Sequence, residues 1–348
     1  LSATARRRRL LSQEAAAKYF ILGAFASAFF LMGIALLYGY SGSLRLVDIA
    51  NAVPVVAGMD WLLLAGTTLV IIGLLFKVGA VPFHSWTPDV YMGAPTPVTG
   101  FMAACTKVAA FGALVRVAYI TLFGLGDSIT LVLVAVAALT MVVGSVVALR
   151  QTDVKRMLAY SSIAHAGFIL TGLASFESVA VPGVLFYLLA YGFSTVAAFA
   201  IVTLVRERNP DGSVGPEANN LAQWNGLARR SPVLAASFAF LLLAFAGIPL
   251  TSGFVAKFGV LAAAVATRET LLVLLAVLGV LASAVAVAFY LRVIVRMYFS
   301  EAGDDSTIVV PGALTAIAIT VGVVATVVLG IFPAPFLDWA GAMVAGGR

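Results

Sequence analysis

The sequence predicts an all-α integral membrane protein, a polytopic bundle of about nine transmembrane helices with two of them broken, and three observations predict it. Of its 348 residues 62% are hydrophobic and 10% charged, where a soluble domain carries roughly a quarter charged. Apolar runs near the ~20 residues that cross a bilayer core at 1.5 Å per residue recur between charged or turn residues. Two of those runs combine an internal proline with a nearby lysine.

The first run, Lys18 to Tyr40, follows LSATARRRRL. That opening has neither the short apolar core nor the small-residue cleavage site of a signal peptide. With no initiator Met, the chain reads as a fragment that starts in a loop. The second run, Trp61 to Trp86, is interrupted at Pro82; the third, Pro97 to Leu122, opens on proline and centres on Lys107. Ile129 to Leu149 is apolar throughout and stops at Arg150. Arg156 to Ala174 and Val179 to Val205 carry scattered hydroxyls, and Val233 to Ala266 is interrupted at Pro249. Thr270 to Tyr298 and Pro311 to Phe332 complete the set. Their length and lack of two-residue alternation exclude barrel strands. Residues 1–348 thus read as one transmembrane domain with one long polar break, Arg206 to Arg230. NPDGSVGPEANN within it is expected to be a mobile loop, and LAQWNGLARR a short interfacial helix.

Charge sets the orientation. The net charge of +6 would suit nucleic acid if spread over a polar face, but here the cations sit in short loops and read as a topology signal. Arg6 to Arg9, then Arg150, Lys155 and Arg156, then Arg206, Arg208, Arg229 and Arg230, then Arg292 and Arg296 all fall on one side. That side is expected to be cytoplasmic, including the 206–230 loop and the N-terminal end, with the C-terminus across the membrane. The opposite side holds Arg45 and Arg268, and Arg116 can snorkel to it. The single Cys105 lies in an apolar run and reads as a packing residue, with no disulfide framework or thiolate metal cluster.

Function must come from polar residues the membrane should have excluded. Lys77, Lys107 and Lys257 lie well inside apolar segments, and snorkelling cannot take all three to water. Each either pairs with a buried carboxylate to lock helices together or relays protons, since burial and neighbouring charge tune a lysine to exchange protons near neutral pH. Lys18 sits at a span boundary and either snorkels or takes part. Pro82 follows Lys77 in LLFKVGAVPFHSWTPDV and Pro249 precedes Lys257 in FAGIPLTSGFVAKF. Such prolines free backbone carbonyls that water, hydroxyls or other helices must meet, a task suited to Thr251 and Ser252, and discontinuous helices mark ion sites in transporters. His84 follows the first break, and His165 shares a helix face with Ser161 four residues earlier; each is a hydrogen-bonded neutral histidine or a titrating relay group. Tyr187, Tyr191, Ser194 and Thr195 form a hydroxyl stripe that orders water or joins helices.

Three segments, FKVGAVPFHSWTPDVYMGAPTPVTGFMAACTK, DVKRMLAYSSIAHAGF and AGIPLTSGFVAKF, resemble the signatures of the antiporter-like membrane subunits of respiratory complex I and of cation/proton antiporter complexes. The form TPDVYMGAP, where subunits L and M tend to carry LPDAH, and lysine at 257, where subunit M tends to carry glutamate, resemble the subunit N branch of NADH-quinone oxidoreductase. The resemblance covers essentially the whole chain, whose nine spans look like the sixth to fourteenth of fourteen. It implies a fold of inverted five-helix repeats. It also implies a proton relay that begins at Lys77, continues through Lys107 and ends at Lys257, with Lys18, His84, Tyr160 and His165 as accessory polar positions. The family pairs the first lysine with a glutamate on a preceding helix; Glu14, read as a loop residue, is not assigned that role.

The implied activity is that of a non-redox, H+-translocating subunit of NADH:quinone oxidoreductase in a bacterial inner membrane. No cofactor is expected in this chain: no GxGxxG turn, metal-ligand cluster or nucleophile–base pair is visible, so NADH, FMN, iron-sulfur clusters and quinone belong to partner subunits. The implied partners are the antiporter-like subunit M, small subunits such as K, J and A, and the lipid bilayer, with no nucleic acid. Two alternatives stay open: a subunit of an Mrp-type cation/proton antiporter, and a passive membrane scaffold whose lysines are structural ion pairs.

Overall fold

A computed structural model describes residues 9–53, 58, 60–121, 126–177, 180–209, 211–301, 307–310 and 312–346. Arg6 to Arg8, Leu122, Val179 and Pro311 lie outside them. The chain runs α1 (Leu10–Ser41), α2 (Leu46–Ala52), α3 (Asp60–Val78), α4 (Trp86–Gly93), α5 (Thr96–Phe101), α6 (Lys107–Arg116), α7 (Gly126–Ala148), α8 (Val154–Ala174) and α9 (Ala180–Leu204). After β1 (Val205–Arg208) and β2 (Val214–Glu217) come α10 (Leu227–Arg230), α11 (Pro232–Ala246), α12 (Ser252–Ala266), α13 (Thr270–Phe299), β3 (Ile308–Val309), α14 (Ala313–Ile331) and α15 (Ala334–Gly346). Among the described residues 8 helical runs are long and apolar enough to cross a membrane, and the shorter α11 and α12 make one further, broken crossing. The expected nine follow.

Helix α8 is the axis of the bundle, buried along 94% of its most apolar stretch. It packs on α7, α4, α9 and α12. Close approach to α7 depends on small residues: a Cβ on Gly144 would stand 2.5 Å from the Ala164 backbone nitrogen. Asp153 caps the helix by accepting from the Arg156 backbone N–H at 2.8 Å.

Both breaks occur where the prolines predicted them, with boundaries that refine the reading. The span expected from Trp61 to Trp86 ends as a helix at Val78 and resumes as α4. Between them Gly79 takes φ +73° and the Val81–Pro82 peptide is cis. The Phe76 carbonyl accepts from the Gly79 N–H and the Trp86 indole, and the Val81 N–H donates to the Thr140 hydroxyl at 3.0 Å. At the second break, α11 ends in a Schellman motif. Gly247, at φ +86°, donates to Ala244 and Ile248 donates to Leu243. The Thr251 hydroxyl donates to the Ile248 carbonyl at 2.7 Å, as expected of it, whereas the buried Ser252 hydroxyl has no partner among the described residues.

The segment expected as a mobile loop folds instead. β1 pairs antiparallel with β2 and β3 in the order β2-β1-β3, and the Trp224 indole donates to Ala218 under the hairpin. The LAQWNGLARR stretch is a 3-10 turn followed by the one-turn α10.

Candidate functional site

Lys107 opens α6 directly after a π-helical turn, Met102–Thr106, the kind of local unwinding common at functional sites. It is 2% exposed, and its ammonium donates to the Ser162 carbonyl of α8. The Tyr191 ring of α9 lies 5.7 Å from Nζ, and the Ser162 hydroxyl is 3.4 Å from the Tyr91 hydroxyl of α4. The first broken helix therefore reaches this point through its second half.

His165 is buried on α8 just beyond Ser161 and Ser162. Its Nδ1 pairs with the Tyr187 hydroxyl at 2.7 Å, and its Nε2 lies 3.4 Å from the Tyr290 hydroxyl of α13. Tyr290 also hydrogen-bonds Ser161. With a hydroxyl at each ring nitrogen, the imidazole has a partner in either tautomer. The Tyr191 ring lies against it, tilted, at 4.9 Å, beside a cavity of roughly single-water size lined by His165, Tyr187, Tyr191, Ser194 and Phe245.

Lys257 of α12 is equally enclosed, at 5% exposed. The Schellman motif occupies the carbonyls of Leu243 and Ala244, which leaves Ala246 for the lysine. Nζ donates to that carbonyl at 3.0 Å and to the Ser283 hydroxyl at 2.7 Å, over the Phe168 ring at 4.6 Å. A cation at the negative end of a half-helix is electrostatically favoured. Phe168 in turn lies 6.3 Å from the His165 ring. A continuous line of contacts thus runs from Lys107 through Tyr191, His165 and Phe168 to Lys257. Among the described residues no carboxylate forms an ion pair with either lysine.

The other expected residues stand apart from that line. Lys77 is half-buried in the last turn of α3, with no hydrogen bond or ion pair to a described residue. His84 is half-buried in the first break, with Nδ1 unpartnered, and Tyr160 packs half-buried against the core. Lys18 pairs with Glu14 at 2.6 Å and with Asp89 of α4 at 2.7 Å. Glu14 accordingly belongs to α1 and not to a loop. The hydroxyl stripe divides, since Tyr187 and Tyr191 face His165 while Ser194 bonds Thr326 of α14 at 2.9 Å. Cys105 is exposed, not packed.

Sequence reasoning missed Ser283 and Tyr290. Their signal was available, because two hydroxyl residues seven apart on an apolar helix share a face. It also misread Lys155 as a loop charge. Lys155 is fully buried, donates to the Ala94 carbonyl at 2.7 Å and lies 3.5 Å from Glu217 of β2, while Arg156 pairs with Asp89 at 3.0 Å. Arg292 likewise closes the end of α7, donating to Leu149 and Gln151 carbonyls.

Residues 3–283 match the family described as "NADH:quinone oxidoreductase/Mrp antiporter, TM". The chain is 60% identical to NADH-quinone oxidoreductase subunit N 3 of Streptomyces griseus over 98% of its own length, and 60% identical to subunit N of Rhodococcus opacus over 98%. It spans 62% of the length of each of these relatives. Among solved structures it resembles a chain of respiratory complex I from Thermus thermophilus with bound aureothin, at 36% identity and TM-score 0.79, covering 95% of this chain and 70% of that one. A chain of the Mrp complex from Dietzia, 24% identical with TM-score 0.83 over 97% of this chain and 68% of the other, shares the fold.

Proposed function

The chain belongs to the NADH:quinone oxidoreductase/Mrp antiporter membrane family, and from that membership we propose that it is a subunit N-type, proton-translocating membrane component of NADH:quinone oxidoreductase. One observation carries the reading. Two lysines are buried with no carboxylate paired to them among the described residues, and an imidazole flanked by aromatic rings and hydroxyls lies between them. A permanently charged, unpaired ammonium in a low-dielectric interior is costly. A group that gives up and regains its proton meets that cost only for part of a cycle, which argues against lysines retained as structural ion pairs.

In this proposal redox chemistry occurs in partner subunits and reaches this chain as a change of charge near Lys77. Lys107 then gives up its proton beside Ser162 and Tyr191, His165 with its Tyr187 and Tyr290 hydroxyls is the intermediate group, and Lys257 is the terminal site. Ser283 and the Ala246 carbonyl hold the Lys257 ammonium in its charged phase. Lys18, His84 and Tyr160 are accessory polar positions. Moving one charge against 100 mV takes about 2.3 kcal/mol, supplied by a proton-affinity change of about two pKa units at 1.36 kcal/mol each. Subunit M, small subunits such as K, J and A, and the lipid bilayer are the proposed partners. The sheet-bearing face and residues 206–230 are assigned to the cytoplasmic side of a bacterial inner membrane, and the C-terminus to the other. The Mrp-type alternative shares the fold but not the 60% identity to subunit N relatives.

The test is Lys107→Ala in the intact complex, with proton pumping measured separately from quinone reduction. Pumping is expected to fall while the complex assembles; full pumping in an assembled variant removes Lys107 from the relay.

A further inference from the structure

The face opposite the small sheet is poor in cations, its described arginines being Arg45, Arg116 and Arg268. Two of these, far apart in the chain, meet at one place. Arg45 precedes α2 and Arg116 ends α6, and both line an open cavity of about 530 Å³ together with Leu44, Leu46 and Val117. Those same three apolar residues also line a second cavity, about 240 Å³, that lies between α1 and α3 and is lined further by Thr67, Ile34 and Val70. A charged mouth thus opens on an apolar slot.

The polar groups here are unspent. Arg116 makes no hydrogen bond or ion pair to a described residue, and Arg45 reaches only Asp48, at 3.9 Å with its side chain 81% exposed. Thr67 is 1% exposed, lines the slot, and its hydroxyl has no partner among the described residues, although a threonine in a helix can ordinarily bond a carbonyl one turn back. Two guanidiniums suit a phosphate, and a slot between helices suits an acyl chain. An inorganic anion would leave the slot and Thr67 unused.

We infer that this is a binding site for an anionic phospholipid of that leaflet. Its phosphate lies between Arg45 and Arg116, one acyl chain enters between α1 and α3, and the Thr67 hydroxyl donates to an ester carbonyl.

The experiment uses the purified intact complex. Phospholipids retained through purification are counted by native mass spectrometry, and labelled phosphatidylglycerol is titrated in detergent against phosphatidylcholine and inorganic phosphate. Three variants are compared with the wild type after assembly is verified: Arg116→Gln, Arg45→Gln/Arg116→Gln, and Leu46→Phe, which narrows the slot and leaves the arginines. The expected result is a preference for phosphatidylglycerol that weakens about thirtyfold in the double arginine variant, by a smaller factor in Arg116→Gln, and also in Leu46→Phe. Millimolar phosphate is expected not to compete. Wild-type affinity in the arginine variants, or no preference for the anionic lipid, overturns the site. Competition by phosphate with no effect of Leu46→Phe overturns the lipid and leaves a free anion.

Discussion

Replacing Lys257 separates a proton carrier from a structural cation. Its ammonium makes two charge-assisted hydrogen bonds, to Ala246 and Ser283, each contributing about 1.5–3 kcal/mol. Lys257→Met removes them but also removes the cost of burying a charge, which is several kcal/mol. The two effects nearly cancel, and Ser283, already 3.4 Å from the Ala246 carbonyl, remains to satisfy it. The methionine variant is therefore expected to assemble and not to pump through this site. Lys257→Arg keeps the charge, yet its guanidinium has a pKa above about 12. Releasing that proton at pH 7 costs about 7 kcal/mol at 1.36 kcal/mol per unit, a factor of roughly 10⁵ against the relay. Arginine is expected to be at least as damaging as methionine despite conserving charge. The assay is proton uptake by vesicles holding the intact complex, run beside quinone reduction and a check of assembly. A well-assembled arginine variant that pumps normally, with methionine blocking assembly, would refute the reasoning.

Tyr290→Phe removes the hydroxyl joining Ser161 to His165 without changing the ring's bulk; coupled activity is expected to fall several-fold in assembled complex, and unchanged activity would exclude Tyr290 from the line. Lys155→Met leaves Glu217 buried beside a lost partner and is expected to destabilise by about 3–5 kcal/mol, with Lys155→Met/Glu217→Gln recovering much of it; thermal inactivation of the two variants decides, and equal losses would refute the pairing. A cysteine tag between Arg208 and Arg230 is expected to label from the cytoplasm and one after α15 from outside, and the reverse pattern would overturn the orientation.

Crossings and breaks were legible because membrane length and proline each act locally: Pro82 and Pro249 mark their interruptions whatever packs around them. Lys107 and Lys257 were legible for the same reason, since a charge in an apolar run needs no neighbour to be conspicuous. What the sequence concealed depends on tertiary partners. Glu217, in a polar stretch of alternating turn residues, gave no sign that it would be drawn inward to Lys155, and the Arg206 to Arg230 break became a hairpin because β3, about a hundred residues later, supplied a strand to pair with. Ser283 and Tyr290 were hidden by being ordinary in composition and notable only in whom they meet.

The burial of α8 on every side has a mechanical consequence. The helix bearing His165 is walled off by neighbouring helices, whereas α14 leaves most of its surface toward the outside. Changes in bilayer thickness or fluidity act first on such outer helices, which can tilt to absorb them. The imidazole rides on an inner column that those adjustments reach only at second hand, so the centre of the proposed relay keeps its place while the outer helices follow the membrane.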